Sequence, residues 1–294
     1  MTMNRIEIPE ANFSADIPSS YSEMTSPQVY YVMQQLYALQ CAKISQAEFR
    51  VRVLYYLAGI KRTARSIAWE RLHPAEAHRR AEKVVLLAEE LLGFLFTTDG
   101  DGLKPVFDTI TNHLPLLDIG PVRLVGPDTG LLDLSFGELI ATDADLAFYT
   151  STKDECHIDN MIARLYRQPG PMQPCGRKVE PFKMEETERR ARLIRFLPGW
   201  KKQLFLFWYA ACIDNIQHGT FYISGREVSF EPLFSKNEDG GNSLGWLGVQ
   251  FDLAEKHIFG DMAGTAEANI IDVLALLLNY KYTTDHVRKI KADN

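Results

Sequence analysis

The most regular stretch of the chain follows His73-Pro74, where Ala81, Val84, Val85, Ala88, Leu91, Leu92 and Leu95 recur at helical spacing. One continuous apolar stripe of this kind predicts an amphipathic helix with a single core face, and Glu76, Arg79, Arg80, Lys83 and Glu90 on the solvated side. Upstream, Thr25-Ser26-Pro27 sets a cap with proline at the helix start, followed by a helix through Tyr37 and Cys41. Ser45-Gln46-Ala47-Glu48 is a capping box that opens a helix through Phe49, Val53 and Tyr56 and ends near Gly59. Downstream, Ser135 with Glu138 and Thr152 with Glu155 are two further capping boxes. Behind the second, Ile158, Met161, Ile162, Leu165 and Tyr166 form another clean helical face.

Later segments are also helical. A polar, basic helix is expected over 185–197 and an apolar one over 200–216. Another helix carries Leu247, Phe251, Ala254 and Ile258 and stops at Gly260, and a last one carries Ile270, Val273, Leu274 and Leu277. Strand signals are few: Ile6-Glu7-Ile8, Val122 to Val125, and a hairpin around Phe221-Tyr222-Ile223 and Val228-Ser229-Phe230. The reading is a mainly α, multi-helix, bundle-like globular protein with an extended N-terminal arm and at most a minor β-hairpin. The arm spans 1–24, an N-terminal helical part 25–120 and a C-terminal helical part 121–294. Dense turn residues between 97 and 134 mark the boundary, and the two parts can still form one domain. A Pro-rich loop over 169–182 is expected to be mobile or to dock a partner, and residues 283–294 to fray.

Composition supports a packed core. Sixteen Phe, twelve Tyr and four Trp stand in 294 residues, with 46% hydrophobic and 24% charged residues. The formal net charge of −6 argues against a surface coated with nucleic acid, since that binding rests on phosphate neutralisation. Met1 to Asp16 carries Glu7, Glu10 and Asp16 and no apolar core, so no secretory signal is expected there. The longest apolar run, Leu204 to Ile213, is half of what a bilayer-spanning helix needs (about 20 residues). These features predict a soluble, cytoplasmic protein with no membrane contact. Four cysteines without CxxC spacing read as reduced thiols, with Cys41 and Cys212 as small core residues.

Motifs of chemistry fail on context. Gly241-Asn242-Ser243-Leu244-Gly245 matches G-x-S-x-G, but polar, turn-like residues precede Ser243 where a nucleophile elbow needs a strand. Ser243 reads as a helix cap, with a serine hydrolase kept as a remote alternative. Asp128-Thr129-Gly130 reads as a turn. Asp99 and Asp101 begin a calcium-loop pattern that breaks at Leu103 and Ile110. Cys156 and His157 diverge on a helix and read as its solvated first turn, so neither metal nor cofactor is expected. The basic stretch 177–202 is the one place where charge gathers: Arg177, Lys178, Arg189, Arg190, Arg192, Arg195, Lys201 and Lys202 are candidates for contact with a partner or with nucleic acid. The alternative for this run is a solvated helix face with Glu185–Arg189 and Glu186–Arg190 pairs.

Four stretches carry a resemblance: Ile17-Pro18-Ser19-Ser20-Tyr21-Ser22-Glu23-Met24-Thr25; Glu48 to Leu54; Leu165-Tyr166-Arg167 ahead of the Pro-rich loop; and Gly245-Trp246-Leu247 with His257-Ile258-Phe259-Gly260 ahead of an apolar helix. In these the chain resembles helical proteins encoded in tailed-phage and prophage structural gene clusters. The resemblance implies a non-enzymatic protein of virion or tail assembly, a chaperone or scaffold that binds other phage structural proteins and copies of itself. It would reside in the cytoplasm of a bacterial host or be carried in the virion. No functional residue is transferred by it.

Overall fold

The computed structural model describes residues 4–8, 13–99, 102–234 and 244–292. Helices dominate, with twelve α-helices among the described residues. The strands there form five separate two-stranded antiparallel ribbons, where the sequence pattern announced at most one. Most of these strands are four or five residues long and pair with the next strand in the chain. Such short local ribbons leave almost no alternation to read. No helix among the described residues is long and apolar enough to cross a membrane.

The chain packs as two units. The first holds residues 1–109 and 199–207, the second residues 110–198 and 208–294. In the first, β1 (Asn4–Ile8) pairs with β2 (Phe13–Ile17), so the segment read as an extended arm is a hairpin over these residues. Four helices follow: α1 (Ser26–Gln40), α2 (Gln46–Leu57), α3 (Ala64–Leu72) and α4 (Pro74–Leu91), then a ribbon of β3 (Phe96–Asp99) and β4 (Gly102–Pro105). Thr25 and Gln28 close a full capping box on α1. Ser45 caps α2 by accepting from the Glu48 amide at 3.2 Å, but the Glu48 carboxylate turns to Arg52 instead of completing the box. The core of this unit gathers Val29, Val32 and Met33 of α1 with Phe49 and Val53 of α2, and Ile17 and Leu95 from the ribbons and turns. Cys41, expected in the core, caps the C-terminus of α1 and is exposed.

The second unit begins with β5 (Leu116–Ile119) and β6 (Val122–Val125), then α5 (Phe136–Thr152), α6 (Glu155–Leu165), β7 (Pro169–Met172), β8 (Lys178–Val179) and α7 (Met184–Ile194). The helix α8 (Gly199–His218) gives its first nine residues to the first unit and the rest to the second. After it come β9 (Thr220–Ile223), β10 (Arg226–Ser229), the single turn α9 (Glu231–Phe234), α10 (Gly245–Glu255), α11 (Met262–Glu267) and α12 (Ile270–Ala292). The cap placed at Thr152 belongs at Asp154. Thr152 closes α5, Lys153 takes a left-handed φ of 59°, and the Asp154 carboxylate accepts from the Cys156 amide at 2.9 Å to start α6. Asp128-Thr129-Gly130 is a turn, with Gly130 at φ 71°. Ser243 lies outside the described residues.

The start of α5 is the joint of this unit. The Phe136 and Ile270 backbone amides donate to the Ala268 and Leu134 carbonyls, both at 2.9 Å, and the Asn269 side-chain amide donates to the Leu132 and Cys175 carbonyls. Trp208 and Cys212 of α8 reach the same carbonyl, Ile110 O. Burial pushes the Cys212 thiol up to about 12.

Candidate functional site

The eight candidate cations of 177–202 have different fates. Arg177 and Arg190 are interior, 3% and 4% exposed. Lys178, Arg189, Arg192 and Arg195 are exposed on the second unit; Lys201 is half-buried and Lys202 buried in the first. The expected Glu186–Arg190 pair on a solvated helix face does not form. Arg190 turns inward, donating to Ala163 O at 2.8 Å and to the Glu180 carboxylate at 2.6 Å. The Pro-rich segment, expected to be mobile or to dock a partner, is instead tied down through Arg177.

What holds it is the capping glutamate of α5. Glu138 completes the Ser135 box through Oε2, which accepts from the Ser135 amide and hydroxyl at 3.0 and 2.9 Å. Its other oxygen, Oε1, accepts from both Arg167 Nη2 and Arg177 Nη1 at 2.7 Å. Glu138 is fully buried, and both guanidinium side chains are 1% exposed. Each arginine also donates to the backbone, Arg167 to Glu180 O and Arg177 to Leu165 O, both at 2.6 Å. Asp133 sits 3.3 Å from Arg177 Nε. Burial lowers the Arg167 and Arg190 guanidinia from their ordinary range, opposed by Glu138 and Glu180 respectively, and raises the Asp133 carboxyl against the pull of Arg177. Three arginines and three carboxylates thus balance, and the network fixes β7, β8, α6 and α7 onto α5.

An open site lies in the first unit. The stripe on α4 was expected to be one continuous core face. The structure buries only its C-terminal end, Ala88 with Leu92 and Leu95 beyond the helix. Its upstream half, Ala81, Val84 and Val85, faces a groove of about 830 Å³ that α2 and α3 complete. Val51 and Tyr55 line the α2 side, Trp69 the α3 side, and Ala77 and Pro74 the start of α4. Charged groups rim it. Arg52 pairs with Glu48 at 2.5 Å, Arg62 pairs with Glu70, and Arg80 lies 4.0 Å over the Trp69 ring, on which His73 stacks at 4.9 Å.

Sequence reasoning missed this site because α3 carries no apolar stripe. Not one of its residues is buried. The available signal was an α4 stripe longer than the neighbouring helices cover.

Near the start of α6, His157 Nδ1 stands 3.8 Å from Asp145 and its ring stacks on Phe148, while Asp145 binds Arg164. No cluster of three metal-ligating side chains occurs among the described residues.

No protein-family model, curated protein or solved structure matches this chain.

Proposed function

We propose that this chain is a non-enzymatic assembly protein of a phage-type particle, which works by seating a segment of another structural or assembly protein in the groove between α2, α3 and α4. The observation that carries the reading is the groove itself. An apolar helix stripe left open to solvent beside an aromatic side chain is the surface that an amphipathic partner segment recognises. The resemblance to phage and prophage structural-cluster proteins names the class of partner. It also supports residence in the cytoplasm of a bacterial host or in the virion.

The test is recovery of the tagged chain from its native cell with identification of what co-purifies. Portal, tail or capsid proteins are the expected catch. A chain recovered with no structural protein overturns the assignment.

A second reading has one observation in its favour. Arg189, Arg192 and Arg195 recur every third residue along α7 and its end, all exposed, with exposed Lys178 on β8 of the same unit. Nucleic acid held by these four cations would bind with a log–log salt slope up to about −3.6 on duplex DNA, counting about 0.9 per neutralised phosphate. Absent or salt-independent binding removes this reading.

A further inference from the structure

We infer that the cavity between the Pro-rich segment and α11 binds a small neutral primary amide. The site lies wholly in the second unit and is independent of the docking groove. The cavity measures about 140 Å³. A cavity of about 150 Å³ takes a six-carbon ring, so the occupant is a group of about five or six heavy atoms.

Hydrogen-bonding capacity supplies the class. Arg167, 1% exposed, lines the inner side of the cavity, and Glu267, exposed, its outer side. Arg167 donates through Nη1 and Nη2 to Glu180 O and Glu138, but its buried Nε has no hydrogen-bond partner. A buried N–H without an acceptor is costly, and the cavity that Arg167 borders is the space from which an acceptor can come. Acceptors stand on the same wall. Gln173 donates through Nε2 to Pro171 O and Val179 O at 3.1 and 2.8 Å, which fixes that end as the amide nitrogen and leaves Oε1 to accept. The Glu267 carboxylate has no ion-pair or hydrogen-bond partner among the described residues. One inner donor and two acceptors match a carbonyl that carries an NH2 group.

Charge argues for a neutral occupant. The arginines and carboxylates around Glu138 already balance, so an added carboxylate would be an uncompensated buried charge and would enter past Glu267. A cation would meet the Arg167 guanidinium. Burial raises the Cys175 thiol, so it lines the cavity as a small uncharged group. Pro174, Phe182, Ala263 and Ala266 supply the apolar wall. Backbone bonds hold that wall in place: the Asn269 side-chain amide donates to Cys175 O at 3.1 Å, and the Gln173 amide to Arg177 O at 2.7 Å.

The amide can arrive as a free small molecule or as the side chain of a glutamine in a partner. The test is a titration of the ¹⁵N-labelled full chain, followed through its arginine Nε–H and backbone amide resonances. The probes are propionamide, its isostere propionate, propylamine, and N-acetylglutamine N-methylamide. Propionamide is expected to shift the Arg167 Nε–H resonance and the 173–177 backbone amides saturably. It should bind about tenfold or more tightly than propionate or propylamine, the cost of leaving the buried donor or a charge unmatched. Ala263→Leu, at an exposed position on the wall, should weaken propionamide binding about tenfold or more by filling the cavity. Glu267→Ala should weaken it severalfold, and both variants should keep the helical circular dichroism of the parent.

Binding of the glutamine derivative as tightly as propionamide supports the assignment and names a side chain of a partner as the source. Binding of propionamide alone supports it and names a free small molecule. Propionate or propylamine binding as tightly as propionamide, no saturable shift with any probe, shifts that leave the Arg167 Nε–H resonance unmoved, or parent-like binding by Ala263→Leu would each overturn it.

Discussion

Replacing Glu138 with alanine lowers the stability of the second unit by about 3–5 kcal/mol, the range for removing one partner of a buried ion pair. The substitution leaves Arg167 and Arg177, each with a 1% exposed side chain, without the carboxylate oxygen they share. It also leaves the Ser135 amide and hydroxyl at the start of α5 without their acceptor, undoing the reciprocal half of the capping box. Neither arginine can move into water, because each is also held by a backbone carbonyl, Glu180 O or Leu165 O. Glu138→Gln keeps the shape and an acceptor but loses the charge, so it falls between. Denaturant unfolding followed by circular dichroism measures the series. A loss below about 1 kcal/mol for Glu138→Ala would mean that the triad does not hold the unit together.

The second large effect is Gly126→Ala, expected to destabilise by about 1–3 kcal/mol through overpacking. A Cβ at Gly126 would stand 2.5 and 2.7 Å from two ring carbons of Tyr166. Neither side can yield. Tyr166 is fully buried and its hydroxyl donates to Leu114 O at 2.9 Å. On the glycine side, Val125 and Arg167 exchange backbone bonds at 2.7 and 3.1 Å, and Gly126 donates to Pro115 O. The clash predicts its own rescue: in a Tyr166→Leu background, Gly126→Ala is close to neutral. The double-mutant cycle reads the coupling directly. Additive effects would mean that the ring is not the obstacle.

Sequence patterns revealed what neighbours within one or two helical turns decide. The Ser135–Glu138 box, the Ile158–Leu165 face and the apolar core of α8 were all legible, because each is written in spacings of three, four and seven. The second role of Glu138 was not. Its arginines lie 29 and 39 residues away, and no local spacing reports that distance. For the same reason Arg177 and Arg190 looked like surface charge, since a charge run does not show which carboxylates neutralise it. The groove escaped for a different reason. Periodicity states that α4 has an apolar face, but not how much of that face the rest of the chain covers. The half left open is where the functional reading rests.

A photo-crosslinking amino acid placed at Ala81, on the groove wall, tests that reading most directly when the chain is irradiated inside its native cell. A matched control places the same residue at exposed Glu227 of the second unit. The account predicts a discrete adduct from position 81, identified by mass spectrometry as a capsid, portal or tail protein, and none from position 227. Adducts from 227 but not from 81, or none from either while a structural protein still co-purifies, would contradict it.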